Sequence, residues 1–470
     1  MEGEGWLAVA VLLLVTLFVL AGWLWGAPLL LLPVGVLAVV AVMLWPRYSL
    51  YSLYALAPLS VPFSTMWPGL PSDFWCPTEP MAAMLLVLLT LRLLQQRGLW
   101  AHELLAEPVF WAITLFMAWL GISALASTMP VVSVKYVLVR LWFVATFFYL
   151  SYLELRHQPQ RVVHMLWPYL LSLAVVAVYT MWQQGAMGLF DRYAAQHSCT
   201  PFFPDHTSYG AALAFALPMS MGLARAGRSG FMRMVACLLA ALFAVALVLS
   251  FTRAAWLSLV LAGGVWLLCI VRMPIRRVLL MGAVAALLLV LAWPHLLQLL
   301  RSTEAESSGG LANHVRSMTN ITTDDSNVER INRWSCAWRM FLDRPMLGFG
   351  PGTYQFTYAP YQRARYITMA STGLGINGGA HSEYLGLLAE GGAFVALSFI
   401  ALIIISLLKA MVLSVLMPVG PSRALMLSML VGFAAYAAHS ALNSFLDIDK
   451  LAAPFWLSVA LFVAMHRHEG

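Results

Sequence analysis

Residues 378–392 read GGAHSEYLGLLAEGG and continue, through Ala393, into residues 394–408, FVALSFIALIIISLL. The second stretch is an uncharged apolar run, and a helix crossing a hydrocarbon core of about 30 Å needs about 20 such residues. The first stretch is polar and glycine-rich, so His381 falls where water meets hydrocarbon. If a helix opens there, the positive end of its dipole disfavours imidazolium and keeps the ring neutral near pH 7, able to accept a proton. At about 100° per residue, Glu383 points some 200° away around that helix, and Glu390 is near 180° and about 13 Å deeper. An orienting acid must come from elsewhere. Asp447 and Asp449, in the turn NSFLDIDK at 443–450, are candidates by topology. The ordinary alternative is an interfacial histidine that caps a helix or bonds a backbone carbonyl.

The rest of the chain has the same character. Of 470 residues 61% are hydrophobic and 10% charged, with a mean hydropathy of +0.82. Soluble domains run at about 45–50% apolar and about 25% charged, so this is an all-α polytopic membrane protein. Residues 6–24 begin with an acidic flank, MEGEGW, and no small-residue cleavage site follows, so they read as a retained first span. Apolar runs of spanning length recur near 6–26, 28–45, 48–66, 79–97, 108–127, 131–153, 163–185, 207–224, 232–251, 254–272, 276–293, 383–408, 423–443 and 451–466. They give about 12–14 spans, the lower figure if short or kinked runs fail to cross. Three parts are expected: an N-terminal transmembrane bundle at 1–293, an extramembrane loop subdomain at 294–380, and C-terminal transmembrane helices at 381–470. The net charge of +7 is ordinary for membrane proteins, whose inner loops collect Lys and Arg, and does not indicate nucleic acid.

Charge also sets orientation. The turns LRLLQQRGLW, ELRHQPQR, RAGRSGFMR and RMPIRR alternate with turns nearly free of basic residues, which places both termini in the cytoplasm. Lys135, Arg140, Arg192, Arg253 and Lys450 break the pattern, each at or near the outer end of a span. A cation there snorkels, pairs with an acid, or binds an anion, and convergence on one membrane face favours an anion site. Guanidinium groups suit a diphosphate because they stay charged and donate forked hydrogen bonds. Asp191 and Asp205 are close enough in sequence to pair such arginines off instead.

The segment 294–380 is too long for a mere connection. Within it, DDSNVERINRWSCAWRMFLDRP spaces Ile331, Trp334, Trp338 and Phe341 by threes and fours, predicting an amphipathic helix that stops before Pro345. GFGPGTY reads as a turn, and RSTEAESSGGLANH as a mobile stretch that could form part of a lid. Cys76, Cys199, Cys237, Cys269 and Cys336 show no metal-type spacing; a pairing among Cys76, Cys199 and Cys336 is the only disulfide their compartment would allow. Asp324 and Asp325 lack supporting ligands, no P-loop is evident, and neither a metal nor a cofactor is expected.

Three stretches taken in order, LSFTRAAWL, RINRWSCAWRMFLDRPMLGFGPGTY and AHSEYLGLLAEGG, resemble the O-antigen ligase and polymerase superfamily, with its arginine turn, its "DRP-GxGPG" run and its histidine-led helix start. FFPDHTSYGAALAFALP resembles an upstream segment of the same family, with His206 where asparagine is more usual. Ser382 likewise stands where asparagine is common. The resemblance implies a GT-C-like glycosyltransferase with one large helical periplasmic loop, set in the bacterial inner membrane with its active site facing the periplasm. The donor would be an O-antigen glycan on undecaprenyl diphosphate and the acceptor lipid A-core. His381 would be the catalytic base, Arg192 and Arg253 the diphosphate ligands, and Lys135, Arg140, Arg330, Arg333 and His206 further substrate contacts. A ligase is expected over a polymerase because one large outer loop lies near the C-terminal end. The alternatives are the polymerase, an oligosaccharyltransferase acting on protein hydroxyls, and, from another class, a lipid-glycan transporter.

Overall fold

The computed structural model describes residues 40, 42–65, 74–96, 101–302, 325–363 and 378–465. They are helical nearly throughout. In chain order the helices are α1 (Pro46–Leu56), α2 (Thr78–Gln95), α3 (Pro108–Leu125), α4 (Pro130–Phe143, continuing helically to Leu155), α5 (Val163–Met187), α6 (Arg192–His197), α7 (His206–Ala226), α8 (Gly230–Leu249), α9 (Arg253–Ile270), α10 (Ile275–Ser302), α11 (Asp325–Asp343), α12 (Glu383–Leu416), α13 (Pro421–His439) and α14 (Asp449–Met465). Between α1 and α2 lies a two-stranded antiparallel pair, β1 (Val61–Pro62) and β2 (Trp75–Cys76), with Val61 opposite Cys76.

Local chemistry sets the helix starts. Proline occupies the first turn of α1, α3, α4 and α13, where a missing N–H costs nothing. Asp191, Asp205, Ser229 and Ser382 are N-caps whose side chains accept N–H groups of the next turn. Asp191 and Asp205 are thus used by the backbone.

Among the described residues eight helices are long and apolar enough to cross a membrane, from Thr78–Gln95 to Pro421–His439. The chain is a polytopic helical membrane protein. The expected spans at 6–26 and most of 28–45 lie outside the described residues. The run at 48–66 yields only the 11-residue α1, because the chain turns into β1 soon after it.

The core is a set of helix–helix seams. Helix α7 packs on α13 and α8, α9 on α13, α12 on α3, and α11 on α12. Every residue of α14 is buried. Exposed side chains such as Leu125, Val178, Leu257 and Val260 face outward, as suits hydrocarbon. In lipid these seams are held by close packing and interhelical hydrogen bonds, since lipid is as apolar as leucine.

Helix α11 forms where its pattern predicts, but it buries a different face. Asn332, Arg333, Cys336, Ala337 and Met340 are inside, whereas Trp338 is 50% exposed, its ring tilted against Phe341. Small and polar residues allow α11 to lie close against α12, and Trp338 turns away. The cysteines, Cys76, Cys199 and Cys336 included, are free thiols.

Candidate functional site

The site is built on a break in α12. Gly392 has φ 75°, a value glycine adopts readily, and a side chain there would collide with the carbonyl of Met346. The kink frees carbonyls that the turn 345–352 then uses. Phe349 N–H bonds Ala389 O at 3.2 Å, Gly350 N–H bonds Glu390 O at 2.8 Å, and Ala393 N–H bonds Pro345 O at 2.8 Å. Glu390 completes the joint, its carboxylate accepting from the N–H groups of Gly352 (3.0 Å) and Tyr354 (2.9 Å). Ser123 of α3 closes the third side by donating to Leu347 O at 2.7 Å. The GFGPGTY turn and the AEGG segment therefore form one joint, which fixes the start of α12 relative to the loop.

His381 lies just before α12, on a left-handed turn with φ 51° that costs a non-glycine residue about 1 kcal/mol. Ser382 caps the helix, its Oγ accepting from Leu385 N–H, and Glu383 N–H bonds Ser440 O at 2.8 Å. Helix α11 clamps the same turn from the loop side. Trp334 Nε1 donates to the carbonyl of His381 (3.0 Å), and Arg333 Nη1 donates to Gly378 O (3.2 Å). Arg333 also pairs with Glu329 (2.6 Å) and covers the Tyr358 ring, so it holds the turn in place.

Burial lowers the pKa of His381 below the ordinary imidazole value, and the charges of Arg330 and Arg333 lower it further. A hydrogen bond with Asn443 and the charge of Glu329 oppose them. The ring is therefore neutral near pH 7. Asn443 belongs to the turn after α13, and its Nδ2 lies 3.3 Å from Nε2 of the buried His439. Sequence reasoning looked for a carboxylate in this turn and passed over the amide.

The two expected acids go elsewhere. Asp449 is fully buried and accepts from Ser60 Oγ (2.5 Å), Thr78 Oγ1 and Lys450 Nζ (3.0 Å). Asp447 stands 3.6 Å from Arg140. Nor do the outlying cations converge on one point. Lys450 is held by Asp449 and covers the Trp75 ring at 3.8 Å. Arg140 forms a buried pair with Glu383 (2.8 Å, both 2% exposed) and donates to Tyr136. Glu383 uses its other oxygen for the N–H groups of Phe445 (2.9 Å) and Leu446 (3.3 Å).

Arg192, His206, Arg253 and Arg330 form a separate group. Arg192 opens α6 and Arg253 opens α9. Thr252, the residue before Arg253, donates to the carbonyl of His206 at 2.9 Å, so the α8–α9 turn sits on the start of α7. The charges of Asp205, Arg192 and Arg330 all act on His206, and Arg330 acts on His381 as well. Arg330 thus acts on both His206 and His381. Chemically, the arrangement sets the charges of Arg330 and Arg333 around a neutral imidazole. Among the described residues, no three His, Cys, Asp or Glu side chains group in a way that could hold a metal; Asp324 lies outside them.

A comparison with curated proteins gave no match. Residues 238–400 match the family model described as "O-Antigen ligase", a range that includes Arg253, Arg330, Arg333 and His381 and ends within α12. On that match residues 238–400 of the chain are similar to the O-antigen ligase family.

Proposed function

We propose that the protein is an O-antigen ligase, transferring a glycan from undecaprenyl diphosphate to a sugar hydroxyl of lipid A-core at the periplasmic face of the bacterial inner membrane. The observation that supports this reading is the neutral His381 ring, fixed at the mouth of a membrane helix within the field of Arg330, whose charge acts together with that of Arg192 on His206. The acceptor O–H gives its proton to His381 while its oxygen forms a bond to the anomeric carbon. The bond from that carbon to the diphosphate oxygen breaks, and the diphosphate leaves with the electron pair. Arg192 and Arg253 stabilise the charge that grows on it. A single displacement inverts the anomeric centre, and the activated donor supplies the energy.

In this reading residues 294–380 lie in the periplasm and both termini in the cytoplasm. The test is purified protein in detergent with a lipid-diphosphate glycan and lipid A-core. Core-linked glycan, absent with His381→Ala, is expected. Longer lipid-linked chains without core-linked product would replace the ligase with the polymerase, and glycan on protein hydroxyls with an oligosaccharyltransferase.

A further inference from the structure

Beside the His381 turn lies a cavity of about 700 Å³, within the size range of ligand pockets. Gly379 and Ala380, the two residues before His381, form part of its wall, with α2, α4, α12, the β1–β2 pair, the 352–356 segment and the 444–448 turn. We propose that this cavity binds a neutral sugar, the glycosyl acceptor, and is distinct from the arginine cluster. The assignment of the sugar as acceptor rests on the ligase reading above.

Three observations point this way. First, Arg140 lines the cavity and is 2% exposed, yet its Nε and Nη1 have no hydrogen-bond partner among the described residues. Buried donors are rarely left unmade, and a small shift of the guanidinium toward a ligand with acceptor oxygens would give them partners. Second, the balance of charge is wrong for a diphosphate. Glu79, Glu383, Glu390 and Asp447 line the space against Lys135 and Arg140, and Arg140 already faces two of those carboxylates. An anion would meet like charge. A sugar hydroxyl, which both donates and accepts, fits guanidinium and carboxylate alike. Third, Trp75, Tyr136 and Phe356 present aromatic surface to the cavity, with Phe356 43% exposed, and an aromatic face suits the apolar C–H side of a sugar ring.

The location gives the arrangement a use. A sugar in the cavity would lie against the turn that carries His381, while the diphosphate sits among the arginines across that turn.

The test is equilibrium binding to the full-length protein in detergent, with two probes: core oligosaccharide freed of its lipid, and inorganic pyrophosphate. Phe356→Ala and Asp447→Asn should each weaken oligosaccharide binding about tenfold or more and leave pyrophosphate binding unchanged, which also shows that the variants are folded. Arg192→Ala should do the reverse. In turnover, Phe356→Ala should raise the acceptor KM and leave the donor KM alone. The proposal is overturned if the unaltered protein does not bind oligosaccharide, if both cavity variants bind it normally, or if they lose pyrophosphate instead. Should the unaltered protein make no core-linked product, the ligase reading fails, and the binding pattern still decides what the cavity holds.

Discussion

Two regions near the turn at 378–382 differ in charge: Arg330 and Arg333 act on His381, and Arg330 with Arg192 on His206, whereas the cavity beside the turn is lined by four carboxylates, five aromatic residues, Lys135 and the buried guanidinium of Arg140. Gly379 and Ala380 line the second region, and His381 follows them in the chain. The basic region brings like charges together, an arrangement that favours an anion. The acidic region has already spent much of its charge internally: Glu383 on Arg140 and the 445–446 amides, Glu390 on the GFGPGTY turn.

The largest effect should come from His381 itself. A general base contributes about 10²- to 10⁴-fold, so His381→Ala should lower kcat by that order, with pyrophosphate and oligosaccharide binding retained. A loss confined to pyrophosphate binding would instead place His381 inside the basic region. Next is the buried pair that anchors the acidic region. Glu383→Gln leaves Arg140 charged and without its closest partner, and breaking a buried pair costs about 3–5 kcal/mol. Thermal unfolding in detergent should show a markedly lower midpoint, whereas a midpoint near wild type would mean that the guanidinium finds another anion.

The basic region should respond on a smaller scale and in a different measurement. Hydrogen bonds to charged groups are worth about 1.5–3 kcal/mol, so Arg192→Ala or Arg253→Ala should each cut kcat/KM for the donor by about 10- to 100-fold. The acceptor KM should stay put. If it rises as much as the donor KM, the two regions are not separate sites.

How much of this could be read in the chain depends on how local the signal was. His381, Gly392 and Arg253 each sit inside a short motif legible in the chain, whereas the backbone geometry at each is set by contacts with distant segments. Asn443 was missed because the nearby Asp447 and Asp449 looked like better chemistry for orienting a histidine. What draws Asp449 away, Ser60 and Thr78, lies at the far end of the chain, and no spacing rule connects them. Arg140 was grouped with Arg192 because both end their spans on the same face, and only the packing of α4 beside α12 places Glu383 against it. On α11 the aromatic spacing located the helix, but the buried face followed the small residues. Asn443→Leu probes the missed contact. It removes about 1 kcal/mol of hydrogen bonding, so kcat should fall about fivefold with both KM values unchanged. A fall in stability without a change in kcat would make Asn443 a packing residue only.

The smallest effect sharpens the comparison most, because it shifts a pH profile. The positive charge of Arg330 lowers the pKa of His381. Arg330→Gln removes that charge, so the folded-state pKa rises toward the ordinary value. A base works only when neutral and loses rate as pH falls through its pKa, so the acid limb of the kcat/KM profile should move to higher pH in the variant. The plateau at alkaline pH fixes the limb's position independently of any contact Arg330 makes with the donor, since such a contact scales the whole curve. The opposite assignment puts the titration on the other limb of the profile. If His381 binds phosphate as a cation, rate is lost as pH rises, and raising its pKa extends activity upward. An alkaline limb that moves up in Arg330→Gln would therefore put His381 among the cations of the basic region and leave the acceptor proton to another group.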